Sequence, residues 1–120
     1  MRYRATLMLV MMVLCSGARA EMAFKQQSEL KLFQHYAQAS CLASAYTEGE
    51  FYDQAVSALN GYREFGAMPP EAYEALIEPI HHWLQKDYAT KAAKQNNLMK
   101  CIDFSESEVV TKIYYGYVTE

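Results

Sequence analysis

Cys41 and Cys101 are the residues of this sequence best equipped for chemistry. Cys41 lies in Ala39-Ser40-Cys41-Leu42-Ala43, and Cys101 lies in the stretch 97–104, which reads Asn-Leu-Met-Lys-Cys-Ile-Asp-Phe. Both stretches have small, apolar, helical character. A cysteine offers either a nucleophilic thiolate or a crosslink. A nucleophile at Cys41 needs a reduced thiol and a base, for which the chain supplies His35, His81 and His82. His35 lies off the apolar stripe of its helix and reads as a surface or rim residue. His81 and His82 are adjacent, so on a helix they point about 100° apart and do not share an ion. The His-Glu-x-x-His spacing of a helical zinc site is absent. There is no Gly-x-Ser-x-Gly, no phosphate-cradling glycine loop and no Cys-x-x-Cys. Paired acids such as Glu48 with Glu50 and Glu106 with Glu108 fall at expected helix starts, where carboxylates complement the backbone dipole. No catalytic residue, metal ligand or cofactor is therefore assigned, and catalysis is the weaker reading.

The first twenty residues set the compartment. Arg2 and Arg4 precede the apolar run Leu7-Met8-Leu9-Val10-Met11-Met12-Val13-Leu14, and Ala18-Arg19-Ala20 follows. A basic start, a short apolar centre and small residues at a cleavage site mark a secretory signal peptide. The run is about half the length of a bilayer-spanning helix. An uncleaved anchor and a lipoprotein modified at Cys15 are the competing readings. No small residue directly precedes Cys15, and Ala-Arg-Ala is the better site. The expectation is cleavage after Ala20, leaving one domain, 21–120, with no membrane span. Cleavage also removes Cys15 and leaves two cysteines. An even count in an exported chain implies a disulfide, Cys41–Cys101. It closes a loop of about sixty residues, for which the chain-entropy relation gives roughly 4 kcal/mol.

Charge narrows the partners. Losing Arg2, Arg4 and Arg19 takes the formal net charge from −3 to −6. A nucleic-acid binder needs a basic face, which this chain lacks. Nine tyrosines remain after cleavage. Several fall near expected turns (Tyr46, Tyr52, Tyr62, Tyr88), as suits either a protein interface or the rim of a small core.

The periodicity predicts an all-α bundle of four to six helices stapled by one disulfide. Ser28 caps the first helix, whose stripe is Leu30, Phe33, Ala37, Cys41 and then Ser44 or Ala45, flanked by Tyr36 and Leu42. Gly49 is the expected stop of that helix. A second helix spans about 51–65 with the stripe Tyr52, Ala55 or Val56, Leu59 and Tyr62. Gly61 inside it marks a close approach or an early end. Pro69-Pro70 interrupts the chain, and Pro70 starts a third helix running to about residue 85. Its stripe is Tyr73, Leu76 or Ile77, Ile80, and Trp83 or Leu84. Pro79 predicts a kink or break within 75–78. Residues 86–95 read as a polar connector with a basic pair, Lys91 and Lys94. The stretch 97–104 is the next helix, with the stripe Leu98, Cys101, Ile102 and Ser105. Ser105 with Glu108 fits a capping box for a further segment. The residues 113–118 have strand-like composition but read as a frayed or docked tail.

Three ordered stretches resemble a known family. They are Ser40-Cys41-Leu42-Ala43-Ser44-Ala45-Tyr46; Gly61-Tyr62-Arg63-Glu64-Phe65-Gly66 followed by Pro70-Glu71-Ala72-Tyr73; and Leu84-Gln85-Lys86-Asp87-Tyr88 followed by Leu98-Met99-Lys100-Cys101-Ile102-Asp103. Together with the leader they resemble the periplasmic immunity proteins that neutralise type VI secretion amidase effectors. The resemblance implies an all-helical homodimer in the periplasm. It also implies that a loop blocks the cleft of a papain-like amidase acting on peptidoglycan stem peptides. Cys41 and Cys101 match the family's cysteine positions. After Asp103 the sequence departs from the pattern, with Phe104-Ser105-Glu106 and a tyrosine-rich end.

A plug for a cleft is expected in a connector. The first choice is 62–70, which offers Tyr62, Arg63, Glu64, Phe65 and Met68, stiffened by Pro69-Pro70. Stiffness reduces the entropy lost on binding, and Tyr and Arg are favoured at binding hot spots. The second choice is 86–95, with Tyr88, Lys91 and Lys94. The alternatives to an amidase inhibitor are a helical periplasmic adaptor or envelope-stress protein with no toxin partner, and an enzyme using Cys41 or the histidines.

Overall fold

The computed structural model describes residues 26–92 and 94–118. The leader with its cleavage site lies outside these residues. Six helices are present among them: α1 Glu29–Ala45, α2 Gly49–Phe65, α3 Pro70–Glu74, α4 Ile77–Leu84, α5 Asn97–Ser105 and α6 Glu108–Tyr117. The expected all-α bundle with one crosslink is what forms.

The bundle is built around α1, which touches α2, α4, α5 and α6. Its start follows the sequence: the Ser28 hydroxyl accepts a hydrogen bond from the Lys31 N–H at 3.2 Å, and Glu29 sits in the first turn. No Gly or Pro interrupts the run. Phe33, Tyr36, Ala37 and Cys41 enter the core together with Tyr73, Leu76, Ile80, Phe104, Val110 and Tyr114. Aromatic rings fill much of it. Phe33 packs on Tyr73 (5.6 Å between centroids) and Tyr114 (5.8 Å), and Tyr36 meets Tyr73 edge-on at 4.6 Å.

Helix α2 lies against α1 and fully buries only Ala55. Gly49 does not stop the first helix. That helix ends at Ala45, and Gly49 opens α2 with φ +87°, a conformation that other residues adopt at a penalty. Gly61 is neither an early end nor a close approach, because α2 runs through it to Phe65. A Cβ built there meets no atom within 4 Å, whereas one at Gly66 falls 2.6 Å from the buried Tyr73 hydroxyl and 3.2 Å from the Tyr62 carbonyl. The two glycines should respond oppositely. Gly61→Ala should raise stability by about 1 kcal/mol through helix propensity, and Gly66→Ala should lower it by about 1–3 kcal/mol through overpacking. Thermal melts of the two variants check this, and a loss of stability at Gly61→Ala would contradict it.

The proline signals act as expected. Pro70 is the first residue of α3. Pro79 is the third residue of α4, where its missing N–H falls among donors that have no intrahelical partner. Its ring is incompatible with a helical carbonyl at residue 75, and the chain breaks there, at Ala75 and Leu76. Leu76 is fully buried and Ile77 is 52 % exposed.

Three expectations at the C-terminal end are corrected. In α5 the buried residues are Lys100, Cys101, Phe104 and Ser105, while Leu98 (45 %) and Ile102 (41 %) are exposed. Cys101 must face Cys41, and Phe104 packs edge-on against Trp83 at 5.6 Å. These two residues set the helix phase, so Leu98 and Ile102 turn outward. Lys100 tolerates burial because its Nζ donates to the Leu84 carbonyl at 2.7 Å, at the end of α4. Ser105 belongs to α5, its hydroxyl donating to the Ile102 carbonyl at 2.7 Å. The residue before α6 is Ser107, which donates to the Phe104 carbonyl and forms no side-chain cap. Residues 113–117 are helical, because Val110 and Tyr114 share a face that packs on the core.

Candidate functional site: the crosslink and two connectors

Cys41 in α1 and Cys101 in α5 are bonded, with Cα atoms 5.4 Å apart and 60 residues between them in sequence. Both are fully buried. The thiolate needed for nucleophilic catalysis at Cys41 is consumed by this bond.

The histidines are dispersed. His81 and His82 are both exposed, and His82 Nε2 lies 3.6 Å from Glu78. His35 packs against Tyr62, the rings tilted and their centroids 5.1 Å apart. It lines an open groove of about 310 Å³ between α1 and α2, along with Gln38, Ala39, Leu42, Ala58 and Tyr62. Burial, and then the nearby Lys31, hold its imidazole below the usual pKa of 6.5. Among the described residues no group of three or more His, Cys, Asp or Glu is arranged to hold a metal ion.

Most of the first-choice segment is not a connector. Tyr62, Arg63, Glu64 and Phe65 form the last turn of α2, leaving only 66–69 between helices. Tyr62 and Met68 pack against the core. The Arg63 guanidinium sits 5.1 Å over the Tyr73 ring. The Ala67 N–H donates to Glu29 of α1 at 2.7 Å. Tyr62, Arg63 and Met68 are thus engaged with the fold, although Arg63, like Glu64, remains exposed.

The second-choice segment, 86–95, is the connector between α4 and α5. Lys91 and Lys94 are exposed and Tyr88 is half-buried. Its described residues are held by their own groups. Ala89 and Gln95 form an antiparallel bridge, and backbone bonds run from Thr90 N–H to the Lys94 carbonyl and from Asn96 N–H to the Tyr88 carbonyl, each 3.2 Å. The Tyr88 hydroxyl donates to Asp103 of α5 at 2.9 Å. Lys86 lies 3.5 Å over the Trp83 ring. Asp103, Lys100, Asp87 and Gln95 support this connector and were not singled out from the sequence. Their side-chain partners across the connector lie 7 to 16 residues away in sequence, so no short motif marks the set.

The family described as type VI secretion system (T6SS), amidase immunity protein (Tai4) has a sequence model that matches residues 31–114. The chain belongs to this family. The Tai4 match begins inside α1 and ends at Tyr114 in α6, so every helix and both cysteines fall within it wholly or in part. The resemblance read in the sequence is borne out at that level. Among solved structures, a chain of the crystal structure titled as the effector Tae4 from Salmonella typhimurium in complex with the immunity Tai4 from Enterobacter cloacae has a similar fold. The TM-score is 0.69 at 17% identity, covering 74% of this chain and 92% of that one. No curated protein sequence matches. In this Tai4-family chain the two candidate segments differ in kind: 66–69 is short and packed, and 86–95 is longer, exposed and basic.

Proposed function

We propose that the mature chain is a periplasmic immunity protein that binds a T6SS amidase effector and inhibits it by occluding its active-site cleft. It acts as a homodimer and carries out no catalysis of its own. The family match over residues 31–114 is the observation that carries this reading. The disulfide supports an oxidising compartment, in keeping with the signal peptide read in the sequence. No helix among the described residues is long and apolar enough to cross a membrane.

Of the two contact segments, the geometry favours 86–95 as the plug. It is the longer connector and carries Lys91 and Lys94 free of the core, on an otherwise acidic chain. A basic tip of this kind is steered towards a cleft of negative potential. Tyr62 and Met68 pack against the core instead. The test compares Lys91→Ala/Lys94→Ala with Arg63→Ala/Glu64→Ala/Met68→Ala for inhibition of the amidase encoded beside this gene. Both are first checked for helical content. The lysine variant should lose about ten-fold or more in affinity, the range of one hot spot, while the second variant inhibits at unchanged stoichiometry. The reverse pattern would return the contact to 62–70.

A further inference from the structure

Residues 86–95 are closed at their neck by two side chains. Asp87 Oδ1 accepts hydrogen bonds from the Ala89 N–H at 3.0 Å and from Gln95 Nε2 at 2.8 Å. The same Gln95 amide accepts from the Tyr88 N–H through Oε1 at 2.8 Å. Gln95 therefore grips two consecutive residues across the loop, one through each end of its amide. Asp87 and Gln95 are both exposed, so the grip adds little to the core. Exposed connectors are ordinarily the loosest part of a fold, yet this one has an interlocked neck and a tether from Tyr88 to Asp103.

We propose that Asp87 and Gln95 form a clamp that presets the loop for the effector, making them positioning residues for inhibition rather than contact residues. The proposal rests on the reading of 86–95 as the plug. A loop that samples its binding-competent shape only part of the time binds with apparent affinity reduced by that fraction. The clamp raises the fraction and leaves the tip, Lys91 and Lys94, to make the contacts. The Asp87 carboxyl is held below its usual pKa by the Gln95 hydrogen bond first and the Ala89 N–H second, as expected of a carboxylate that accepts both bonds.

The test uses the full mature chain and the purified amidase encoded beside its gene, followed by surface plasmon resonance. Parallel hydrogen exchange is recorded on the chain alone. Asp87→Ala and Gln95→Ala should each weaken binding about ten-fold, mainly through the association rate. They should also release the Tyr88 and Ala89 amides to exchange and leave the melting temperature within a few degrees. The double variant should be no worse than the weaker single one, because the pair acts as a unit. Asp87→Asn keeps the acceptor oxygen and loses the charge, and it should bind within about two-fold of the parent. If Asp87→Asn is as weak as Asp87→Ala, the charge itself is the contact and the clamp is overturned. If Lys91→Ala/Lys94→Ala weakens binding while Asp87→Ala and Gln95→Ala change neither affinity nor exchange, the clamp fails and the loop reading stands. If the lysine variant binds normally, the loop reading fails first.

Discussion

Cys41→Ser or Cys101→Ser should lower the melting temperature by roughly 15–30 °C, the equivalent of about 4 kcal/mol in a domain of this size. Two effects add. The bond ties α1 to α5 across 60 residues, so losing it restores freedom to the unfolded chain. Both cysteines are also fully buried, so the serine hydroxyl and the remaining thiol are left in an apolar setting. Such a change is a large share of the roughly 5–15 kcal/mol typical of small domains. Reduction of the parent chain should produce most of the same shift, which separates the crosslink from the hydroxyl. Circular dichroism melts with and without reductant make the measurement. A shift of only a few degrees for both variants would mean that packing alone holds α5 on α1.

The second large effect is at Phe104. It is fully buried and meets Trp83 edge-on, so Phe104→Ala should cost about 3–5 kcal/mol. Ile102, two residues earlier and equally apolar, is 41 % exposed. Ile102→Ala should stay within about 0.5 kcal/mol, as for surface sites generally. The pair tests the phase of α5 directly. Equal losses at the two positions would mean that the helix is turned towards the Leu98–Ile102 stripe instead.

That phase was not legible in the sequence, for a physical reason. A stripe reading assigns Lys to solvent, but Lys100 is buried because one carbonyl at the end of α4 accepts its ammonium hydrogen bond. Which carbonyl lies within reach is a tertiary fact. The signals that read correctly are the Ser28 cap, the Pro70 start, the break ahead of Pro79, and the Cys41–Cys101 pairing. The C-terminal tail misled because Val, Ile and Tyr favour strands on average. Here Tyr114 packs on Phe33, and that contact outweighs the propensity. The candidate contact at 62–65 lies in the last turn of the second helix, whose expected end at 65 is where α2 stops, so residue types suited to an interface there belong to a helix and not to a loop. Within 86–95 the basic tip was visible in the sequence, whereas the Asp87–Gln95 neck spans eight residues without a motif.

If this Tai4-family chain neutralises an amidase by binding it, inhibition is stoichiometric. The most direct measurement titrates the oxidised mature chain into the purified amidase encoded beside its gene and follows cleavage of peptidoglycan stem peptides. Activity should fall linearly to zero at a fixed, near-stoichiometric ratio, and the same chain should have no effect on an unrelated cell-wall amidase. Full amidase activity in the presence of a large excess of folded, disulfide-bonded chain would contradict it.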